Sequence, residues 1–336
     1  MAVRVAINGF GRIGRNFYRA ARKSRAGIEL VAVNDLTSPE INAHLLKYDS
    51  THGTLDEEVK VTGDGISVGS DSFKVLSERD PKALPWGDLG VDVVIESTGI
   101  FTDREKAAQH LEAGAPRVII SAPAKDVDAT FVIGVNDDTF DPAEHTVVSN
   151  ASCTTNCFVP MVKVLDDAFG VEKGLMTTVH AYTNDQNLLD LVHKDLRRAR
   201  AAAVNIVPAS TGAARATGLV LQAMQGRLDG TALRVPVSDG SITDFVGVLD
   251  KEVTDDEVNG AFREAAASGP LSGVIEYSDE EIVSSDIVGS AASCVFDSPL
   301  TMALGSLVKV MGWYDNEWGY SNRLVDLAVI MGRANK

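Results

Sequence analysis

The chain has 336 residues, of which 45% are hydrophobic and 23% are charged, a balance typical of folded globular proteins that excludes wholesale disorder. At about 150 residues per domain, this length predicts two domains. The longest apolar runs are only as long as a strand, far below the ~20 residues of a membrane span. The N-terminus lacks the basic and apolar regions of a secretory signal, so we expect a soluble cytoplasmic chain.

The formal net charge of −16 arises from 47 acidic and 31 basic residues. Such a charge repels nucleic acids and anionic lipids, so neither is expected as a partner. Asp accounts for 30 of the acidic residues, whereas the chain has only 13 Lys. This composition fits ordinary solubility, and it equally fits adaptation to concentrated salt, which would screen the repulsion between carboxylates.

The first part of the chain alternates apolar strands with a helix, which predicts a doubly wound α/β domain with parallel strands and crossover helices. Between residues 54 and 78, short strands broken by Gly-containing turns predict a small antiparallel insertion. The predicted strands of this part cover residues 3–8, 30–34, 91–97, 117–121, 131–135 and 146–150, and a helix covers 12–25.

The pattern changes near residue 150, where a small polar stretch precedes a helix that ends at Phe169. Long strand-like runs follow and predict a second domain with a largely antiparallel sheet. A further helix is predicted over 255–267, because three acidic residues at its start suit the positive end of the helix dipole. A last helix is predicted over 318–334.

A glycine-rich turn directly follows the first strand. Gly9 permits a tight turn, Gly11 leaves the backbone open to a pyrophosphate, and Gly14 lets the helix pack close to the sheet. The next strand ends at Asp35, 21 residues past Gly14, and a carboxylate there can accept both ribose hydroxyls. The combination predicts dinucleotide binding, with a purely structural turn as the alternative. Asp35 favours NAD because a 2′-phosphate would meet like charge.

The three cysteines are too few for a disulfide framework, and no Cys/His pair at zinc spacing accompanies them, so no metal site is predicted. Cys153 opens the helix after residue 150, where the positive potential of the helix N-terminus favours a thiolate. We therefore predict that Cys153 is a nucleophile, although burial as a small apolar residue is the alternative. Cys157 and Cys294 are predicted to lie in the core.

A nucleophilic thiol requires a base. Among the six histidines, His180 ends an apolar strand beside a polar loop, so it is the candidate base, with a core histidine as the alternative. The other five, including His110, are predicted to be solvated. Arg234 lies in an apolar run, where a cation is costly unless it binds an anion or pairs with an acid. Arg198 belongs to a second basic stretch with Arg197 and Arg200, whose arginines could instead form ion pairs; for Arg197 and Arg200 that alternative is equal.

Seven motifs occur in the order found in glyceraldehyde-3-phosphate dehydrogenases, and the chain resembles that family from Val3 to Arg333. These motifs are NGFGRIGR, SNASCTTN, HAYTNDQ, DLRRARAAA, STGAA, LRVPV and WYDNEWGYSNR. The resemblance implies a Rossmann NAD-binding domain over 1–151 and an α+β catalytic domain over 152–317. It also implies that a C-terminal helix over 318–336 packs back on the first domain. Homotetramers are typical of the family, with the loop 181–200 near a neighbour's cofactor.

The resemblance implies the phosphorylating oxidation of D-glyceraldehyde 3-phosphate to 1,3-bisphosphoglycerate with reduction of NAD. Cys153 would form a hemithioacetal and then a thioester, His180 would accept the proton, and inorganic phosphate would release the acyl phosphate. The cofactor residues implied are Gly9, Gly11, Arg12, Ile13, Gly14, Asp35, Arg79, Ser121 and Asn316. Thr183 and Arg234 would bind the substrate phosphate. The attacking phosphate would contact Ser152, Thr154, Thr211 and Gly212, and Arg198 would serve phosphate too.

One position departs from the family pattern. NAD-specific members usually carry Leu and then Pro at two positions that disfavour a 2′-phosphate; Leu36 matches the first, but Val192 replaces the Pro. The sequence is therefore compatible with some use of NADP.

Two other functions remain open at this point. An erythrose-4-phosphate dehydrogenase shares most of the motifs, and its sugar differs by one hydroxymethylene unit. An inactive NAD-binding interaction module would be expected to lack Cys153, His180 or Arg234, all of which are present.

Overall fold

The computed structural model describes residues 2–334, so the first residue of the predicted NAD-binding domain and the last two of the predicted C-terminal helix lie outside the described residues. The chain forms two compact units. The first contains the residues up to Phe131, the segment Thr139–Ala151 and the chain from Ser321; the second contains Val132–Asp138 and Ser152–Tyr320. The segment Val132–Asp138 was predicted to belong to the first domain, but in the structure it belongs to the second unit.

Parallel strands form the centre of the first unit. Its strands are β1 (Val3–Asn8), β2 (Ile28–Asn34), β3 (Tyr48–Asp49), β4 (Gly53–Thr54), β5 (Val59–Thr62), β6 (Gly65–Val68), β7 (Asp71–Leu76), β8 (Val93–Glu96), β9 (Val118–Ile120), β10 (Ala129–Thr130) and β11 (Val147–Ser149). Within the described residues, nine of them form one sheet in the order β10-β11-β9-β8-β1-β2-β7-β6-β5, while β3 and β4 form a hairpin. The central strands are apolar and buried, as in a sheet covered on both faces.

The register brings the carboxyl ends of three strands together. Asn8 pairs with Asn34 across β1 and β2 and with Glu96 across β1 and β8, all in parallel. In open α/β sheets, ligands bind at this edge. The predicted doubly wound α/β fold is confirmed, and the carboxyl edge holds the glycine turn that follows β1.

The predicted antiparallel insertion exists, but it is not a separate layer. Strands β5, β6 and β7 pair in antiparallel fashion, and β7 also pairs in parallel with β2. The insertion therefore extends the nucleotide-binding sheet at one edge. Local turn patterns predicted the hairpins, whereas the pairing of β7 with β2 joins strands distant in sequence.

The helices of the first unit flank these strands. They are α1 (Arg12–Ser24), α2 (Pro39–Lys47), α3 (Arg104–Ala107) and α4 (Gln109–Glu112). The predicted strand over 131–135 is wrong, because the chain turns there: the N–H groups of Val135 and Asn136 both approach the Val132 carbonyl oxygen, at 3.1 and 3.3 Å. Gly134 has a φ of +79°, which suits a turn and not a strand. The short strand β10 precedes this turn.

A mainly antiparallel sheet forms the second unit. Its strands are β12 (Val171–Ala181), β13 (Val207–Ser210), β14 (Leu228–Val235), β15 (Ser241–Leu249), β16 (Ile275–Ser278), β17 (Cys294–Asp297), β18 (Met302–Leu304) and β19 (Leu307–Tyr314). Two pairings are parallel, β12 with β14 and β16 with β17, and the others are antiparallel. The predicted α+β class of this unit is confirmed.

The remaining helices are α5 (Cys153–Phe169), α6 (Ala213–Val220), α7 (Asp255–Ala267), α8 (Ser284–Ile287) and α9 (Trp318–Arg333). Of these helices, α5, α7 and α9 begin where the sequence predicts, whereas α6 and α8 were not predicted. Thr254 and Glu257 form a capping box at the start of α7. From Ser321 onward α9 belongs to the first unit, where the Met331 carbonyl oxygen accepts a hydrogen bond from Arg117 Nη1 at 3.2 Å. Among residues 2–334, no helix is both long and apolar enough to cross a membrane.

The prediction that His110 is solvated is wrong. Its side chain is fully buried, and Trp86 Nε1 donates to its Nδ1 at 3.0 Å. A short helix places the ring over the sheet, which the local polar sequence did not indicate. Cys157 and Cys294, which were predicted to lie in the core, are both fully buried.

Candidate functional site

The glycine turn after β1 leaves space where a dinucleotide pyrophosphate would approach. Gly9 has a φ of +91°, and a Cβ on it would lie 2.6 Å from the Thr98 nitrogen. A Cβ on Gly14 would lie 2.5 Å from the Gly9 carbonyl oxygen. A Cβ on Gly11, in contrast, would have no atom within 4 Å. Gly9 and Gly14 are therefore required by the turn itself, whereas Gly11 keeps the start of α1 open, as a bound phosphate would need.

Asp35 directly follows β2 and is tied to the glycine turn. Its Oδ2 accepts from the Phe10 N–H at 3.0 Å, and its Oδ1 accepts from the Thr37 N–H at 2.9 Å. Each carboxylate oxygen keeps a further lone pair for a ribose hydroxyl. The half-buried Asp35 carboxylate thus has the free acceptor lone pairs and the position that its predicted role requires.

The other predicted cofactor residues of the first unit lie near the same strand ends. Arg12 and Ile13 form the first turn of α1, and the Arg12 guanidinium makes a bidentate ion pair with Asp49, both N···O distances being 3.2 Å. Arg79 is exposed in the segment after β7. Ser121 follows β9, and its N–H donates to the Glu96 carbonyl oxygen at 2.9 Å.

Cys153 is the first residue of α5 in the second unit, as the sequence predicts. Ser152 caps this helix: its Oγ accepts from the Thr155 N–H at 3.0 Å. Thr154 is buried, and its Oγ1 lies 2.8 Å from the Tyr314 hydroxyl, which lies 2.8 Å from Thr178 Oγ1 as well. The tyrosine therefore connects the start of α5 to β12.

Two elements bring the predicted nucleophile and base together. His180 lies near the end of β12, and its Nε2 is 3.4 Å from Cys153 Sγ. The other ring nitrogen, Nδ1, is 2.7 Å from the Ala181 carbonyl oxygen. The tautomer sets the direction of these contacts: if Nδ1–H donates to that oxygen, Nε2 carries the lone pair that faces the thiol, whereas an Arg234 Nη1–H directed at Nδ1 would require the other tautomer. In the first tautomer, the geometry allows direct proton transfer from sulfur to nitrogen.

Burial opposes a charge on either partner. Burial raises the pKa of the Cys153 thiol to about 11, although the nearby Arg234 charge favours the thiolate. Burial, reinforced by the same Arg234 charge, lowers the pKa of His180 to about 3. Burial therefore opposes a charge on either group taken singly. A proton passed from Sγ to Nε2 would create two adjacent opposite charges, which attract each other. The thiolate expected at Cys153 stays a prediction.

Arg234 is a half-buried cation that forms no ion pair with an acidic side chain among residues 2–334. It lies opposite His180 in the parallel pairing of β12 with β14, so its Nη1 contacts His180 Nδ1 and donates to the Ala181 carbonyl oxygen at 3.1 Å. Its buried Nε has no hydrogen-bond partner within the described part of the chain. Burial lowers the pKa of this guanidinium. A bound anion would satisfy these donors, which supports the predicted phosphate contact.

The remaining predicted phosphate residues form a second group. Arg198 donates from Nη1 to Asp185 Oδ2 at 2.6 Å and from Nη2 to the Ser210 carbonyl oxygen at 3.2 Å. Ser210 ends β13, so Arg198 lies beside Thr211 and Gly212, which precede α6. Unlike Arg234, Arg198 is already paired with acids. Thr183, two residues past β12, is half-buried.

Asn316 and two residues absent from the prediction complete the described site. Ser241 Oγ donates to Asn316 Oδ1 at 2.7 Å and accepts from the Ala181 N–H at 3.0 Å. Ser241 thus orients the predicted nicotinamide contact relative to the end of β12. Tyr314 lies in the WYDNEW motif, but only its position between Thr154 and Thr178 indicates a role. Sequence reasoning missed Ser241 and Tyr314, because both act through distant partners.

A dinucleotide-type sheet and an adjacent cysteine–histidine pair fit a dehydrogenase of the class that forms a thioester. Two family descriptions match the chain: the glyceraldehyde 3-phosphate dehydrogenase NAD binding domain over residues 3–104, and the C-terminal domain over residues 152–316. The chain belongs to the glyceraldehyde-3-phosphate dehydrogenase family, and its cofactor is NAD.

Curated relatives match almost end to end. The glyceraldehyde-3-phosphate dehydrogenase of Streptomyces coelicolor is 63% identical over 333 residues, covering 99% of each chain. That of Mycobacterium avium is 59% identical and covers 99% of this chain and 100% of the relative. That of Geobacillus stearothermophilus is 59% identical and covers 98% of both.

The variant His180→Asn tests the proton transfer. An amide cannot accept the thiol proton, so kcat is expected to fall about 10²- to 10⁴-fold. Because burial raises the pKa of the thiol, alkylation of Cys153 by iodoacetamide should slow at pH 7 and recover only as the pH rises. The exposed His44 provides the control His44→Asn. An alkylation profile unchanged in His180→Asn would contradict the assignment.

Proposed function

We propose that the chain catalyses the phosphorylating oxidation of D-glyceraldehyde 3-phosphate to 1,3-bisphosphoglycerate with NAD as the oxidant. The observation that carries this proposal is the 3.4 Å contact between Cys153 Sγ and His180 Nε2, with the unpaired Arg234 cation beside it. The names of the relatives support the same reaction.

In the proposed mechanism, Cys153 Sγ attacks the aldehyde carbon while its proton passes to His180 Nε2. His180 returns that proton to the aldehyde oxygen, and the product is a hemithioacetal on Cys153. His180 then accepts the hydroxyl proton of this adduct while the hydride leaves the same carbon for the cofactor, so that the carbonyl reforms as a thioester. Inorganic phosphate attacks the thioester carbon, the acyl phosphate leaves, and Sγ is released. The carbon–sulfur bond formed in the first step is broken in the last.

The residues of the first unit fit the cofactor. The open space at Gly11 admits the pyrophosphate, the N-terminus of α1 favours its charge, and Asp35 keeps lone pairs for the ribose hydroxyls. When bound, NAD supplies the hydride acceptor. Arg12, Ile13, Arg79, Ser121 and Asn316 keep their predicted roles as further contacts.

Two groups of donors suit the two phosphates. Arg234 has one unsatisfied donor, Nε, and with Thr183 it is proposed to bind the substrate phosphate. Arg198, Thr211 and Gly212 lie together at the start of α6, and with Ser152 and Thr154 they are proposed to bind the attacking phosphate. Because Arg198 is paired with Asp185 over 2.6 Å, an incoming anion would have to compete with a carboxylate there.

Neither alternative is favoured. The relatives at 59–63% identity are named glyceraldehyde-3-phosphate dehydrogenases, which does not favour an erythrose-4-phosphate dehydrogenase. An inactive NAD-binding module is not favoured either, because Cys153, His180 and Arg234 are retained and lie together.

Formation of NADH tests the reaction directly. We expect NADH to accumulate from glyceraldehyde 3-phosphate and NAD only when phosphate is present, because the thioester otherwise blocks Cys153 after one turnover. Erythrose 4-phosphate should be used more slowly. Cys153→Ser is expected to lose at least about 10³-fold in kcat, because a hydroxyl is a far weaker nucleophile than a thiol. Cys157→Ser provides a cysteine control. Equal turnover by Cys153→Ser, or turnover independent of phosphate, would refute the proposal.

Discrimination between NAD and NADP is expected to depend on Asp35. The carboxylate repels a 2′-phosphate, so kcat/KM should be higher for NAD. Asp35→Asn removes the charge and should raise the relative use of NADP about 10-fold or more. Val192→Pro restores the family pattern and should lower NADP use. An NADP-to-NAD ratio of kcat/KM above one in the parent would contradict this expectation.

We also propose a homotetramer. Large apolar side chains are exposed along the loop after β12, with Val192 93% and Leu196 83% exposed in the single chain. The full set is Leu188, Leu189, Leu191, Val192, Leu196, Val204 and Ile206. Such a patch is typical of a protein interface. A native mass near four times the 35.7 kDa chain mass is expected, and a monomer in solution would contradict it. The cytoplasmic location stays a prediction.

A further inference from the structure

A buried carboxylate without a counterion lies next to the glycine turn. Glu96 ends β8 and is only 2% exposed. Among residues 2–334, its one partner that can be cationic is His110, and no Lys or Arg forms an ion pair with it. A buried anion is costly unless hydrogen-bond donors surround it. The hydrogen-bond donors around Glu96 therefore identify the parts of the chain that its carboxylate connects.

Four donors surround this carboxylate, two on each oxygen. Asn8 Nδ2 donates to Oε2 at 2.6 Å, and His110 Nε2 lies 2.9 Å from the same oxygen. Thr98 donates to Oε1 twice, from its backbone N–H at 2.9 Å and from its hydroxyl. The carboxylate thus connects the end of β1, the segment after β8 and helix α4.

The direction of the hydrogen bonds at His110 is determined by Trp86. The indole Nε1–H can only donate, and it donates to His110 Nδ1 at 3.0 Å. His110 Nδ1 must therefore be the acceptor, so Nε2 carries the hydrogen that points to Glu96. The Trp86 and His110 side chains are both fully buried, so water cannot replace either bond.

The direction at Asn8 is determined by backbone groups. The Glu78 N–H donates to Asn34 Oδ1 and the Glu78 carbonyl accepts from Asn34 Nδ2, both at 2.8 Å. Asn34 Nδ2 also donates to Asn8 Oδ1 at 2.7 Å. The Asn8 amide is thereby oriented with its Nδ2 toward Glu96. Both ends of the network leave Glu96 only one role, that of acceptor.

The network determines the position of the glycine turn. Thr98, held by Glu96 through two bonds, packs directly against Gly9, whose added Cβ would lie 2.6 Å from the Thr98 nitrogen. Ser97 Oγ donates to the Gly9 carbonyl oxygen at 2.6 Å. A shift of Glu96 would therefore move the backbone that the pyrophosphate approaches.

We propose that Glu96 is a positioning residue for NAD, held in place by the donor His110 and, through it, by Trp86. It acts on the cofactor only through Asn8 and Thr98, which set the geometry of the Gly9–Gly14 turn. This role rests on NAD binding by the first unit and is independent of the sulfur chemistry.

Two substitutions at His110 separate positioning from packing. His110→Leu removes the donor to Glu96 and the acceptor for Trp86, and it should raise both the Kd and the KM for NAD about 10-fold. At saturating NAD, kcat should stay within about 3-fold, because the cysteine–histidine pair is untouched. His110→Gln can donate to Glu96 and accept from Trp86, so its Kd should lie within about 3-fold of the parent. Calorimetry with NAD measures each Kd.

Val94→Ala is the matched control. Val94 lies in the same strand and is fully buried, but it contributes no polar side-chain group. It should lower the melting temperature and leave the Kd for NAD unchanged. Trp86→Phe removes one hydrogen bond from the same network and should raise the Kd for NAD about 3-fold. This variant replaces His110→Leu if His110→Leu does not fold.

The outcomes are distinct. The proposal is overturned if His110→Gln loses as much affinity as His110→Leu, if Val94→Ala loses as much as either, or if the network variants bind NAD like the parent. A parent that binds NAD without oxidising the triose phosphate would refute the proposed reaction and leave these Kd comparisons intact. A parent that does not bind NAD would overturn both proposals.

Discussion

The proposed chemistry depends on one contact, in which a thiol at the start of α5 meets an imidazole near the end of β12. Since burial disfavours a charge on either group, the transfer of a proton from Sγ to Nε2 requires both atoms to stay near the observed distance of 3.4 Å. Tyr314 maintains this arrangement by contacting Thr154 on the helix and Thr178 on the strand. A displacement of either element would leave a neutral thiol without an acceptor.

Charge at the site is set by the neighbours of each arginine. The chain carries a net charge of −16, so most of its cations can find carboxylates nearby. Arg198 does so through Asp185, whereas Arg234 extends from a partly buried strand, and its hydrogen-bond contacts within residues 2–334 are to His180 and a carbonyl oxygen. The unpaired cation both favours a thiolate at Cys153 and disfavours an imidazolium at His180. An anionic substrate bound to Arg234 would reduce both effects, which links substrate binding to the protonation of the pair.

In the first unit, the buried polar side chains around Glu96 position the backbone and are not proposed to take part in catalysis. Glu96 has no counterion, but each of its acceptors is matched by a donor whose direction is set elsewhere, by the indole of Trp86 and by backbone groups at Glu78. A network with one allowed set of hydrogen-bond directions specifies one arrangement of the strand ends. The glycine turn takes its position from that arrangement together with Asp35, which accepts from the Phe10 N–H.

The sequence by itself determined the features that depend on neighbouring residues. The glycine turn, the start of α5 at Cys153 and the capping box of α7 follow from backbone conformation and short-range hydrogen bonds, and the motifs indicated the family. Only the tertiary structure decided which residues are buried and which distant groups meet. It placed His110 inside, turned residues 131–135 away from the sheet, joined β7 to β2 and raised the pKa of the Cys153 thiol. Burial and long-range pairing depend on residues far apart in the chain, and no local pattern contains that information.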